Sequence, residues 1–348
     1  MASRSYTQKE IARNLGISQA LVSQVLSGRR KVATHLHEQI LQEGKRLKYQ
    51  PNHAALSLRT GRQRVWGLLI PSFSHLGNFN RQVVQGIWEV AERNRHSVSV
   101  TCFEGENSAQ ADIMRLLQEG RFDGLFMVYE SDTSHISYER IQEMGVPLVV
   151  VNCPLSNPRT HVVCSDGSGG VCGAVRHLID DHNRRRVAYL SRVDDSWLME
   201  DRYAGYLRAL EEADIAFDER RVYHHDPLMT IEDNCELAIA GLLDSRVPFD
   251  AVYCPTDYFA FSTMAALQRR GLRVPDDVAV IGFDDHPISA GTNPRLTTIR
   301  CDGFEMGRTS ARIMIEALHN NKPLEIQRIR MPVSLVRRES CGCGCSDQ

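Results

Sequence analysis

The sequence predicts a small all-α helix-turn-helix head followed by an α/β body of two doubly wound parallel-sheet subdomains. Three observations carry this expectation. The first fifty residues contain two short amphipathic stretches separated by a glycine turn, and from Val65 onward short apolar runs alternate with amphipathic stretches. The charge divides at the same place. Residues 1–64 hold 12 Lys+Arg against three acids, a net of +9, whereas the other 284 residues hold 29 against 40, a net of −11. A compact basic head on an acidic body suits a polyanionic partner for the head alone; a solvated basic face is the plain alternative.

In the head, Thr7-Gln-Lys-Glu10 has the pattern of a capping box, so a helix is expected from Gln8, burying Ile11, Ala12 and Leu15. Gly16 ends it. Ser18 is placed to cap a second helix, Gln19 to about Leu26, whose Leu21, Val22, Val25 and Leu26 recur at helical spacing. Two short helices joined by such a turn make a helix-turn-helix. Ser27-Gly-Arg-Arg-Lys31 follows as a loop, and Thr34 is a candidate cap for a third helix with Leu36, Ile40, Leu41 and Leu47 inward. The outward residues of the second helix are Gln19, Ala20, Ser23 and Gln24, with Thr7 and Ser18 at the helix starts. Short and amide side chains suit a major groove, where they pair with base edges or touch a thymine methyl. Arg29, Arg30 and Lys31 suit phosphates, which position a protein on DNA without specifying sequence. A three-helix protein-interaction module is the alternative.

In the body, strands are expected at Val65–Ile70, Gly124–Val128, Pro147–Val151, Val187–Leu190, Ala251–Tyr253 and Val278–Phe283. Helices are expected at Val83–Arg95, Ala109–Glu119, Val171–Asp180, Arg202–Glu212, Glu232–Leu243 and Phe259–Arg270. Such alternation implies parallel sheets covered on both faces, and nearly 280 residues are too many for one sheet. Ligands of such sheets lie at the carboxyl ends of the strands.

The apolar share of 42% is ordinary for a globular protein, and no apolar run approaches the length of a membrane span. Met1–Thr7 offers no hydrophobic stretch for a signal peptide, so a cytoplasmic protein is expected. Of ten cysteines, Cys102, Cys153, Cys164, Cys172, Cys235, Cys254 and Cys301 are scattered singly and read as small buried hydrophobes. Phosphate-loop, His-Glu-x-x-His and Gly-x-Ser-x-Gly patterns are missing, so no enzyme and no cofactor is expected. Nothing pairs Asp284-Asp285 and Asp194-Asp195 across a glycosidic bond. Gly167-Ser-Gly-Gly170 reads as a close helix–strand contact, and His224-His225-Asp226 as a polar strand end rather than a metal site. Cys341-Gly-Cys343-Gly-Cys345 has the thiols for a soft metal or for oxidation. Three thiolates fall short of a four-ligand structural site, so a disordered, non-essential tail without metal is expected.

Ile11-Ala12, Gly16-Ile-Ser18, Val22-Ser23, Val25-Leu26, Tyr49-Gln-Pro51-Asn52 and Ala55-Leu-Ser-Leu58-Arg-Thr-Gly61 form a further pattern. With them the head resembles that of the lactose-repressor (LacI/GalR-type) bacterial transcription regulators. The Pro-Asn…Ala…Leu-Arg-Thr-Gly segment is the specific part. The resemblance continues to about Glu339 through Asp166-Gly-Ser-Gly-Gly170, Arg202-Tyr-Ala-Gly205, Thr256-Asp257, Val274-Pro275, Gly282-Phe-Asp-Asp285 and Leu296-Thr-Thr-Ile299. It implies that residues 51–64 are a hinge that becomes helical on operator DNA. Leu58 is then the wedge in the minor groove, with Asn52 and Ala55 alongside; an apolar wedge that unstacks a base step kinks the duplex. The alternative for Leu56 and Leu58 is ordinary packing of a linker. Paired hinges imply a two-fold dimer and a near-palindromic operator. The tail lacks the leucine-repeat helix of tetrameric relatives, which again implies a dimer.

By the same resemblance the body is similar to periplasmic sugar-binding proteins. Its expected subdomains are 65–163 with about 294–322, and 164–291 with about 323–338, closing on a small effector. The effector candidates are Ser72, Phe73, Phe79, Asn80, Asn152, Trp197, Arg202, Thr256, Tyr258 and Asp284. Carboxylate, amide and guanidinium groups bond hydroxyls in pairs while aromatic faces cover a ring, which suits a sugar or sugar derivative. The alternatives are an ion pair stapling the subdomains for Arg202, and core packing for Trp197 and Phe79. The sequence departs from the family at Ala20, Gln24 and Leu56 in the head. In the body, Asn152 stands for the usual Asp, Thr256 for the usual Asn, and Gly303 for an aromatic of some relatives. The implied function is a sequence-specific transcription regulator, a repressor, controlled by a small molecule. The rival is a solute-binding protein of the same body fold, which the basic head opposes.

Overall fold

A computed structural model of the chain describes residues 7–26, 30–49, 62–70, 77–102, 113–128, 138–152, 160–192, 197–226, 228–319 and 324–344. It divides into two compact units, residues 1–63 and 64–348. In the first, Thr7 donates its backbone N–H to the Glu10 carboxylate at 2.8 Å and helix α1 (Gln8–Leu15) begins. Gly16 stops it in the left-handed region at φ 65°, where a side chain is disfavoured. Ser18 Oγ accepts from the Leu21 N–H at 3.2 Å and starts α2 (Gln19–Leu26). The third helix, α3 (Thr34–Arg46), closes a core of Ile11, Ala12, Val22, Val25, Ile40 and Leu47.

Two expectations need correction here. Thr34 is the first helical residue and Ala33 precedes it, so the hydroxyl is not at the cap position. Leu41 is 42% exposed, because Ile40 takes the inward position and the next residue of a helix lies about 100° further round.

In the second unit one sheet contains β1 (Val65–Ile70), β2 (Ser97–Cys102), β3 (Gly124–Val128), β4 (Leu148–Val151), β5 (His161–Ser165) and β11 (Arg328–Met331). Its order is β11-β5-β4-β3-β1-β2, parallel throughout. The other contains β6 (Val187–Arg192), β7 (Val222–His225), β8 (Ala251–Tyr253), β9 (Ala279–Phe283), β10 (Thr297–Arg300) and β12 (Ser334–Val336). Its order is β12-β10-β9-β8-β6-β7, parallel except for β12, which runs against β10. The carboxyl ends of both sheets face the boundary between them. A chain that leaves β11 and passes through Pro332-Val333 therefore enters the second sheet running the opposite way.

The chain crosses between the sheets after β5, after β10 and between β11 and β12, which alters the expected subdomains. Within 294–322, β10 belongs to the second sheet, and the Gly303–His319 helix packs with the Asn78–Arg93 helix on the first. Within 323–338, β11 belongs to the first sheet and β12 to the second. Boundary strands this short carry almost no periodic signal.

Helices cover both faces of each sheet. One apolar cluster includes Trp66, Phe126, Tyr189, Tyr253 and Phe283, and separate clusters fill the opposite face of each sheet. Glycine sets the closest helix contacts. A Cβ on Gly307 would overlap Val83 O, and one on Gly86 would overlap Phe304 O, so the Asn78–Arg93 and Gly303–His319 helices meet backbone to backbone. Gly170 abuts Val333 and Ile299, the close contact expected of its run, while Asp166 Oδ1 accepts from the Gly169 N–H at 3.1 Å and caps the Gly167–His182 helix.

The tail does not behave as expected. Ser340 and Cys341 are buried, and Ser340 Oγ accepts from the Thr297 N–H at 2.8 Å and donates to Val280 O at 2.6 Å. A short 3-10 turn, Glu339–Cys341, folds the segment onto the second sheet; Cys345 lies outside the described residues. Cys164, Cys172, Cys235, Cys254 and Cys301 are buried free thiols, while the side chains of Cys102 and Cys153 lie outside the described part. Among the described residues no helix is long and apolar enough to cross a membrane.

Candidate functional site

Where the carboxyl ends of the two sheets face each other there is a cavity of about 170 Å³. One water needs roughly 10–15 Å³, so the space is sized for a small molecule. Its walls come from strand ends and helix starts, as the alternation of strands and helices requires. Asn152 follows β4 and Ser165 ends β5; Phe283 ends β9 with Asp284 after it, and Cys301 follows β10. Asn78, Phe79 and Asn80 open one helix, Leu198, Met199 and Arg202 a second, and Asp257 and Tyr258 a third behind Thr256.

Arg202 is 4% exposed. Its guanidinium lies 3.6 Å from the Phe283 ring centroid, donates to Pro255 O and stands 4.0 Å from the Asp284 carboxylate. Its Nε is buried without a hydrogen-bond partner, and so is Nδ2 of Asn78. A buried donor left unpaired costs about 1–3 kcal/mol, so both groups are poised to gain from a ligand that accepts hydrogen bonds. Asn152 sits in the left-handed region at φ 59°, which Asn tolerates better than most residues; its Oδ1 accepts from the Ser165 N–H at 3.4 Å.

At the rim Tyr258, 47% exposed, has its hydroxyl 3.2 Å from His286 Nε2. Burial lowers the His286 pKa below the usual imidazole value. Thr256 Oγ1 accepts from the Phe259 N–H at 3.5 Å, so its hydroxyl caps the Asp257–Arg269 helix. Asp285 turns away from the cavity to Arg300 and Arg338, at 2.6 and 2.7 Å.

In the head, Gln19, Ala20 and Gln24 of α2 are exposed and Ser23 is half-buried, on the side opposite buried Val22 and Val25. Thr7, Ser18, Arg30 and Lys31 are exposed as well. Arg29 and the hinge residues Asn52, Ala55 and Leu58 lie outside the described residues.

The periplasmic binding protein-like domain family matches residues 175–341. The ribose operon repressor of Halalkalibacterium halodurans is 27% identical over 334 residues, covering 96% of each chain. The HTH-type transcriptional repressor PurR of Vibrio campbellii is 29% identical over 331 residues, 92% of this chain and 96% of that one. Among solved structures, the complex of the transcriptional regulator CelR with cellobiose matches with a TM-score of 0.71 at 25% identity, over 96% of this chain and 99% of that one. Over nearly its whole length the chain is thus similar to repressors of the LacI/GalR type. The lac repressor dimer bound to operator and an anti-inducer shares its fold, with a TM-score of 0.80 at 23% identity over 97% and 99% of the two chains.

Of the effector candidates, Phe79, Asn80, Asn152, Arg202, Thr256, Tyr258 and Asp284 line the cavity. Ser72 and Phe73 lie outside the described residues. Trp197 is not among the lining residues; it packs on the cluster containing Leu69 and Cys164, with the Arg330 guanidinium 5.9 Å from its ring centroid. Arg202 does not staple the subdomains, since its partners Pro255, Phe283 and Asp284 all belong to the second. Arg330 of β11 makes that link, reaching Asp166 at 3.0 Å and Asp201 at 3.2 Å. Gly303 has no room for the aromatic of some family members, because its Cβ would stand 2.8 Å from Phe79 O. Sequence reasoning missed Asn78, Ser165, Met199, Asp257, His286 and Cys301 as lining residues. For Ser165 the available signal was position at the end of a strand, and for Asn78 position at the start of the helix that follows β1.

Proposed function

We propose that this LacI/GalR-type chain is a sequence-specific DNA-binding transcription repressor. It binds a near-palindromic operator as a dimer in the cytoplasm, catalyses no reaction, and is controlled by a small effector, a sugar or sugar derivative. The observation that carries the effector is the pair of buried, partnerless donors, Arg202 Nε and Asn78 Nδ2, on two residues that line a cavity together with Asp284. Hydroxyl groups satisfy all three at once, accepting from the donors and donating to the acid, and Phe79 and Phe283 offer apolar cover. The polar, exposed face of α2 supports the DNA-binding half. A relative named ribose operon repressor and a regulator whose structure is a complex with cellobiose support the pairing of the two. The effector acts by binding one arrangement of the two subdomains better than the other, and its effect on the operator is limited to that difference.

The test is calorimetric titration of the purified protein with pentoses, hexoses, disaccharides and nucleobases, followed by operator binding with each ligand that binds. One carbohydrate class should bind and change operator affinity by roughly 5–150-fold. Arg202→Ala should abolish that response and leave operator binding without ligand within a few-fold of the parent. Binding of nucleobases alone, or a normal carbohydrate response in Arg202→Ala, contradicts the proposal.

A further inference from the structure

Away from the effector cavity, two histidines and two cysteines converge from distant parts of the chain. His177 and His182 occupy the end of the Gly167–His182 helix, and Cys341 and Cys343 flank Gly342 in the segment after β12. The two Nε2 atoms are 3.2 Å apart. Cys343 Sγ lies 3.4 Å from His182 Nε2 and 3.5 Å from His177 Nε2, and Cys341 Sγ lies 3.5 Å from His177 Nε2. All four donor atoms fall within 4.8 Å of one another.

We propose that His177, His182, Cys341 and Cys343 form a four-ligand structural site for zinc(II). Ordinary bond lengths of about 2.0–2.1 Å to imidazole and about 2.3 Å to thiolate place tetrahedral edges at about 3.3 Å between nitrogens and about 3.5 Å between nitrogen and sulfur. The observed edges match both. Hydrogen bonding alone accounts poorly for two facing Nε2 atoms and two thiols, which are weak donors. The outer contacts fit a metal too. His177 Nδ1 is 2.6 Å from Asp181 Oδ2, which fixes the proton on Nδ1 and turns the Nε2 lone pair inward, the usual support of a metal-bound histidine. Gly342, at φ 106°, lets the tail fold tightly over His182, where a Cβ would stand 3.0 Å from Nδ1.

Two thiolates and two imidazoles in a tetrahedron suit zinc, and with four protein ligands no position is left for water or substrate. The site is a clamp. It pins the chain after β12 to the Gly167–His182 helix, joining residues 164 apart in sequence. Binding displaces the two thiol protons to solvent as both Zn–S bonds form. None of the four side chains lines the effector cavity, so the inference stands apart from the regulatory reading.

The experiment is metal analysis of the full chain purified under reducing conditions without chelator. About one zinc per chain is expected, retained in Cys345→Ser and falling to under roughly a tenth in Cys343→Ser and His182→Gln. Asp181→Asn should weaken zinc by roughly 10–100-fold. Should the cysteine or histidine variants fail to fold, cobalt(II) added to the metal-free parent decides. Strong visible absorption of a tetrahedral thiolate–imidazole site supports the clamp, and the weak spectrum of octahedral cobalt overturns it. Zinc well below one per chain after reconstitution, or zinc unaffected in both Cys343→Ser and His182→Gln, also overturns it.

Discussion

Asp257 is 1% exposed beside the cavity between the two sheets, yet its carboxylate accepts three hydrogen bonds, from the His286 N–H at 2.6 Å, Ser289 Oγ at 2.7 Å and Thr298 Oγ1 at 2.5 Å. Burial outweighs these bonds and pushes the carboxyl up from 3.8 to about 6. A raised folded-state value means that the protonated form is favoured by folding. The contribution to stability is complete below about pH 4 and lost as pH rises through about 6. Asp257→Asn removes that titration. Between pH 4 and 7.5 the parent should lose about 2–3 kcal/mol relative to the variant, measured by urea unfolding at both values; an unchanged difference would refute the assignment. Side chains that act on near neighbours, such as Glu10 on Thr7 and Ser18 on Leu21, were legible in the sequence because cap and partner lie three residues apart. Asp257 served there only as a family signpost. Its partners come from a loop and a strand some thirty to forty residues away, and no local pattern announces them.

The central strands β1, β3, β4, β6, β8 and β9 and most of the helices were legible, because a strand buried on both faces reads as an apolar run. β10 was not. Its Thr297 and Thr298 look polar, but their hydroxyls are spent inside the protein, that of Thr298 on Asp257. β11, Arg-Ile-Arg-Met, is a half-exposed edge. Glycines inside helices were equally silent, since their meaning depends on what faces them. Gly307→Ala would gain about 1 kcal/mol of helix propensity, but its methyl would enter Val83 O of the facing helix, and overpacking of that kind costs about 1–3 kcal/mol. Thermal unfolding should show a net loss. Gly241→Ala, with open space beyond its Cβ position, should instead raise stability by up to about 1 kcal/mol. Equal shifts in the two variants would mean that helix approach is not what fixes Gly307.

At the scale of the whole molecule, two sheets face one cavity and the chain passes between them three times. Arg330 ties β11 of one subdomain to Asp201 on a helix of the other. Because Asp201 is largely buried, the pair should exceed an exposed ion pair. A double-mutant cycle of Arg330→Ala and Asp201→Ala should give a coupling of roughly 1–2 kcal/mol, and a value near zero would remove Arg330 as the inter-subdomain tie. The regulatory role was legible because its signals are short and local: a turn of two helices, a basic head and strand-end polar residues. The zinc clamp was hidden because its halves lie at opposite ends of the second subdomain's sequence.

Regulation by specific DNA binding is tested most directly by incubating the purified protein with fragmented DNA of its own source at near-physiological salt and sequencing what is retained, with and without candidate sugars. Enrichment of a few near-palindromic sites, with retention at those sites altered by one sugar class, is the expected result. Weak retention spread evenly over all fragments, lost on a modest rise in salt and unchanged by every sugar, is the behaviour of phosphate contacts alone and would contradict it.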